Sequence, residues 1–200
     1  MQGFLPSGGC DRRTVVAVIM LSAGTGLSTA DSSSGPRVAR DRIEHPAVRR
    51  EFTSPNGQFV LVVEAVDQWK RLAAKATLLR NSAATSQAVW SKAIAQQLGP
   101  RQALVSNEGR VLMIDEGINV RSRYALMLFD PMGQVLATHD FDALARAAGA
   151  TEAAIKSHAR SGTWMGDKPL LTATGEFAEI AFAGRRLRVS LRDGALSVVP

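Results

Sequence analysis

The chain has 200 residues, 46% of them hydrophobic and 21% charged, with a formal net charge of +6. That balance is ordinary for a globular protein, and the length is enough for one domain with its own core. A single cysteine, Cys10, excludes a disulfide framework.

At the amino end, Arg12-Arg13 precede the apolar run Thr14–Leu21, which is softened by Ala23, Gly24 and Gly26. Ser28-Thr29-Ala30 then places small residues at −3 and −1 of a cleavage site before Asp31. Charged, apolar and small residues in that order are those of a secretory signal peptide, so residues 1–30 are expected to be removed and the rest to be periplasmic or extracellular. A buried amino-terminal helix or a retained anchor is the competing reading. The run is short and glycine-rich for a bilayer, so no stable membrane span is expected after cleavage. Cys10 precedes the run and is not placed as a lipoprotein cysteine. Its loss, with Arg12, Arg13 and Asp11, leaves the remainder basic and without a thiol.

Residues 31–50 are polar, basic and aperiodic, and are expected to form a flexible tether. Arg37, Arg40, Arg42, Arg49 and Arg50 make it either a solvated linker or a basic arm. A single domain is expected over 51–200.

Its first unit, about 51–95, opens on the turn Ser54-Pro55-Asn56-Gly57 and the apolar strand Phe59–Val63, and closes on Ala88–Ile94. Between them, Trp69, Leu72, Ala73, Ala76 and Leu79 fall at helical spacing. Comparison with the second unit places a strand near Ala74–Leu79 instead, with Asn81–Ser86 as a hairpin loop. Helix and strand both remain open over 64–80, and the comparison favours strand.

The second unit, about 101–139, reads as four strands: Ala103–Ser106, Arg110–Asp115, Tyr124–Asp130 and Gln134–Thr138. Val111–Ile114 is a continuous apolar run between turn residues, which suits a strand buried on both faces. Ser106-Asn107-Glu108-Gly109 and Asp130-Pro131-Met132-Gly133 are turn tetrads. The Ser-x-x-Gly turn, a polar residue and an apolar strand recur at Ser54–Val63 and Ser106–Asp115. This pattern resembles the blades of WD-repeat-like and quinoprotein-like β-propellers. It is similar to uncharacterised exported bacterial proteins that carry such blades singly. The resemblance covers about residues 51–140, lacks the histidine and Trp-Asp signatures of true WD repeats, and brings no active-site residue with it.

A helical insert follows at 140–162. Asp140 can cap Phe141–Ala148, closed by Gly149, and Thr151 can cap Glu152–Arg160, closed by Ser161-Gly162. Thr163–Gly175 reads as a loop, with Trp164 over a sheet edge. Glu176–Ala183, Arg186–Leu191 and Ala195–Val199 are carboxyl-terminal strands (176–199), the last two joined by Asp193-Gly194. The expected fold is mainly β: two blade-like antiparallel sheets, a carboxyl-terminal strand meander and a short helical insert. Two or three blades cannot close a propeller, so the sheets should pack face to face or under a helix.

Two groups of residues could carry function. Arg186, Arg188 and Arg192 share the wet parity of one strand, with Arg185 in the adjoining turn, and such a row can grip carboxylates or phosphates. An ordinary solvated face or a charged edge strand explains the same pattern. His139, Asp115 and Asp142 could frame a hydrolytic or metal site, although their spacing matches no ligand motif. His158 is expected on a solvated helix face. Trp69, Trp90 and Trp164 could line a carbohydrate face, but tryptophan at such places more often closes a core. No nucleophile elbow or phosphate loop is present.

The expectation is an exported, non-catalytic binding or scaffold module of the bacterial envelope. It would recognise a protein or an anionic polymer and use no cofactor or metal. The alternative is an envelope hydrolase or metal-dependent enzyme centred on His139. Nucleic acid is not an expected partner, since the aromatic residues are few and not interleaved with the basic ones. The sequence leaves the oligomeric state open.

Overall fold

The computed structural model describes residues 45–83, 85–116, 121–159 and 163–199. The expected signal segment, Cys10 and the tether as far as residue 44 lie outside the described residues.

Three four-stranded antiparallel sheets follow one another along the chain. The first contains β1 (Arg49–Thr53), β2 (Phe59–Ala65), β3 (Ala74–Asn81) and β4 (Ser86–Ile94), in that order. The second contains β5 (Gln102–Val105), β6 (Val111–Ile114), β7 (Leu126–Phe129) and β8 (Val135–His139). The third contains β9 (Leu170–Leu171), β10 (Phe177–Phe182), β11 (Arg185–Ser190) and β12 (Leu196–Val198). Helices α1 (Phe141–Ala148) and α2 (Glu152–His158) connect the second sheet to the third. Over the described residues the protein is therefore mainly β, with no closed barrel or propeller among them, as its sequence predicts.

The same turn opens each sheet. Ser54 accepts the Phe59 amide at Oγ (3.0 Å) and the Gly57 amide at its carbonyl (2.9 Å). Ser106 does so for Arg110 and Gly109 (3.1 and 3.1 Å), and Thr172 for Phe177 and Gly175 (3.2 and 2.9 Å). The hydroxyl replaces a ladder acceptor while glycine takes the left-handed position, at φ 71°, 83° and 72° in Gly57, Gly109 and Gly175. The third copy, Thr172-Ala173-Thr174-Gly175, falls in the segment expected to be a loop. The carboxyl-terminal meander thus has a fourth strand, the two-residue β9.

The sheets stack through two cores. Alternation along the second sheet sends Val105, Val111, Met113, Met127 and Phe129 toward the first sheet, where they meet Phe59, Leu61, Leu78 and Trp90. It sends Leu112, Ile114, Leu126 and Leu128 the other way, against Ile180, Phe182, Leu187 and Val189 of the third sheet and Phe141 and Leu144 of α1. Every residue of β6 and β7 is consequently buried. Each such Leu, Ile or Phe removed from water stabilises the fold by about 1.5–3 kcal/mol before chain entropy is subtracted. Trp69, Trp90 and Trp164 are all buried, so these three present no open face to a sugar. Trp164, expected over a sheet edge, packs with Phe141 and Phe182 instead.

Arg49 and Arg50 are not part of a tether: they begin β1, where Arg49 pairs with Glu51 and Glu64. Arg50 donates to the carbonyls of Leu98 and Pro100 and so pins the connection between the first two sheets. The ambiguous segment 64–80 contains β3, preceded by a turn in which Asp67, Gln68 and Trp69 all take positive φ (49°, 55° and 67°). Trp69 anchors that turn from the core and donates from Nε1 to Pro46 O at 2.7 Å. Both helix starts are as expected: Asp140 accepts the Ala143 amide (2.6 Å) and Thr151 the Ala154 amide (3.2 Å). α2 stops at His158, and its expected Ser161-Gly162 stop lies outside the described residues.

Candidate functional site: a charged cleft at the β10–β11 turn

The turn Ala183-Gly184 joins β10 to β11 and pairs Phe182 with Arg185, Ala181 with Arg186 and Glu179 with Arg188. Both turn residues have positive φ, 49° and 76°, the twist that suits a two-residue hairpin. Leu187 and Val189 point into the core, so Arg186 and Arg188 lie on the outer face beside Glu179.

That arrangement changes what the arginine row can do. Arg188 Nη2 sits 2.7 Å from Glu179 Oε1 and Arg186 Nη1 sits 3.2 Å from Oε2, so one carboxylate is shared by two guanidinium groups. Arg188, then Arg186, hold the Glu179 carboxyl below its ordinary pKa. Arg188 also lies over the Phe177 ring, 5.3 Å from its centroid. Arg192 leaves the row altogether, because β11 ends at Ser190 and Arg192 falls in the following turn. Arg185 begins β11 and is not in the turn. It has no carboxylate partner among the described residues, and its guanidinium reaches beside Gly149 at the carboxyl end of α1.

Above the turn lies the end of α2. His158 packs so closely over Gly184 that a Cβ there would stand 2.7 Å from Nε2. Its Nδ1 is 2.8 Å from the Ala154 carbonyl, which can only accept, so Nδ1 carries a proton and Nε2 remains for other contacts. Between helix, turn and the segment at Gly166 is an open cleft of about 320 Å³. His158, Asp167, Arg185 and Arg186 line it, over Ala181 and Phe182. Asp167 forms no ion pair with the basic groups there, nor with any other described residue.

The other candidate group is not assembled into one site. His139 pairs across the ladder with Leu126, and Leu126 with Ile114, which puts roughly 10 Å of sheet between His139 and the end of β6. His139 Nε2 is 2.8 Å from Gly194 O and fixes the β11–β12 hairpin against β8. Asp142 faces Arg121 at 3.4 Å. Asp115 is 1% exposed, at a positive φ of 57°, with Arg101 Nε 2.9 Å from its carboxylate and the Glu116 amide 2.8 Å from Oδ1. Burial raises its pKa, and Arg101 opposes that rise. Gln96 donates to Tyr124 O (2.7 Å) and Ser122 to Glu116 (2.5 Å), so these buried polar groups tie together the connections around β6. Among the described residues, no three His, Cys, Asp or Glu are grouped to hold a metal ion, and no helix is long and apolar enough to cross a membrane.

His158, Asp167 and Glu179 were not singled out from sequence as binding-site residues. Glu179 was legible: a hairpin turning at Ala183-Gly184 places it opposite Arg188. His158 and Asp167 depend on how α2 folds back, which no local pattern records. Against protein-family models and against curated proteins, the chain finds no match.

Proposed function

We propose that the chain is an exported protein of the bacterial cell envelope whose role is to bind, without catalysis, a partner bearing anionic groups. The contact is the cleft at the β10–β11 turn. One observation carries this reading: Arg185 opens on that cleft with no carboxylate to neutralise it among the described residues, beside His158 and Arg186. Guanidinium groups without an internal partner retain their charge-assisted hydrogen bonds for an incoming carboxylate or phosphate. The order of charges and small residues in 1–30 supports export. The three like meanders, each opened by a Ser/Thr-x-x-Gly turn, support kinship with exported proteins built from propeller-like blades. The reading centred on His139 has less support, because His139, Asp115 and Asp142 each serve a separate structural contact.

The test is retention of the full chain on immobilised polyphosphate at low and high salt. Retention should fall with salt, fall further in Arg185→Glu, and change little in Arg192→Glu. Retention indifferent to Arg185 would refute the assignment.

A further inference from the structure

The cleft carries charges of both signs, and they do not meet. Arg185, Arg186 and His158 line it together with Asp167, yet no ion pair joins Asp167 to any of them. Pairing of such exposed groups is worth little, so each stays available to a ligand that engages both. Their backbones are anchored independently. Arg185 and Arg186 are fixed by the ladder of β10 and β11, and Asp167 by a segment whose Gly166 amide bonds Ala181 O and whose Met165 bridges Phe182. A cleft lined by cations and an anion that do not pair with each other is the complement of a ligand that also carries both charges.

Building on the anion-binding reading above, we propose that the cleft recognises a zwitterion: a phosphate ester joined by a short linker to a primary ammonium, as in phosphoethanolamine. The phosphate lies against Arg185 and Arg186, and the ammonium against Asp167. Three features select this class. The cleft, at about 320 Å³, has room for one small polar group. Arg185 and Arg186 are consecutive strand residues whose side chains leave opposite faces of β11, so their donors reach the cleft from different directions. A tetrahedral phosphate accepts from several directions, whereas a planar carboxylate is matched best by one fork. His158 Nε2, its other nitrogen engaged by Ala154 O, is positioned at the same end. Ala181 and Phe182 supply a floor for the methylene linker.

The experiment is isothermal titration calorimetry on the full chain with O-phosphoethanolamine, inorganic phosphate and glycine as separate probes. Phosphoethanolamine should bind about tenfold more tightly than phosphate, the value of one added charged hydrogen bond. Asp167→Asn should abolish that preference and leave phosphate binding intact, and Arg185→Gln should weaken both by about tenfold or more. Equal affinity for phosphate and phosphoethanolamine would overturn the zwitterion and leave the anion-binding reading standing. No binding of any probe would overturn both. Glycine matching phosphoethanolamine would overturn the choice of phosphate. Vesicles containing phosphatidylethanolamine in phosphatidylcholine separate two sources of the same chemistry. Asp167-dependent vesicle binding assigns a lipid headgroup; binding of the soluble ester alone assigns a free one. Thermal melts of both variants within a few degrees of the parent ensure that lost binding is not lost fold.

Discussion

The three like turns offer a matched test of how the sheets stack. Gly57, Gly109 and Gly175 hold the same place in the same turn with φ of 71°, 83° and 72°, so Gly→Ala imposes the same backbone strain at each. For a non-glycine residue that strain is worth about 1–2 kcal/mol. The surroundings differ. A Cβ on Gly57 or Gly175 meets nothing within 4 Å, whereas one on Gly109 stands 2.9 Å from Cε1 of Phe59. Phe59 belongs to the first sheet and is only 8% exposed, so its ring has little room to retreat. Forcing a methyl into such a contact adds about 1–3 kcal/mol. Gly57→Ala and Gly175→Ala should therefore each cost about 1–2 kcal/mol, and Gly109→Ala about 2–5 kcal/mol. Urea denaturation followed by tryptophan fluorescence reads these as shifts in midpoint at constant slope. In a Phe59→Ala background, Gly109→Ala should fall back to the cost of strain alone, a direct coupling between the two sheets. If Gly109→Ala costs no more than Gly57→Ala in the parent protein, the first and second sheets are not packed through Phe59.

Burial raises the Asp115 pKa in the fold, so the folded state binds this proton more readily than the unfolded one. Asp115's contribution to stability accordingly falls as pH rises between the unfolded and folded values. Arg101 offsets that penalty; Arg101→Gln should cost about 3 kcal/mol or more at pH 7 and less at pH 4, where the carboxyl can be neutral, measured by denaturation at both. An equal loss at both would exclude the carboxylate as what Arg101 compensates. Glu179→Gln releases Arg186 and Arg188 and should raise salt-sensitive retention on polyphosphate with little change in melting temperature. Unchanged retention would mean that Glu179 does not mask them. Gly184→Ala combines a positive φ of 76° with a methyl 2.7 Å from His158 Nε2. It should weaken phosphate binding and destabilise by about 1–3 kcal/mol, and full affinity would show that His158 does not shape the cleft.

Much of the fold was legible because its turns are chemically specific. Ser54 and Ser106 announce the same hydrogen-bonded device, and the apolar tetrad Val111–Ile114 leaves a strand no wet face. The third copy escaped because threonine replaces serine in it and β9 spans only Leu170–Leu171, too short for any alternation to register. Segment 64–80 left helix and strand both open for a different reason, although the favoured strand is what forms. Trp69, Leu72, Ala73 and Ala76 keep helical spacing, yet Trp69 is drawn into the core through a left-handed turn and β3 alternates beyond it. The site was half legible. The parity of Arg186 and Arg188 was correct, but the two share the single carboxylate of Glu179, while Arg185, assigned to the turn, proves to be the guanidinium left without a carboxylate among the described residues.

The doubly covered second sheet also governs what happens when the protein is not wholly folded. Val-Leu-Met-Ile and Leu-Met-Leu-Phe lie side by side in β6 and β7, with both faces apolar. On the ribosome the first sheet can shield only one of those faces; the other waits for α1 and the third sheet, which follow it in the chain. Any species lacking either outer third presents a short, uncharged, β-prone surface of the kind that self-associates. Arg110, Asp115 and Asp130 bracket the two strands and interrupt that surface with charge. Chains cut between the second and third sheets should therefore collect as aggregates, and heat inactivation of the whole protein should be set by the rate at which an outer sheet lifts away.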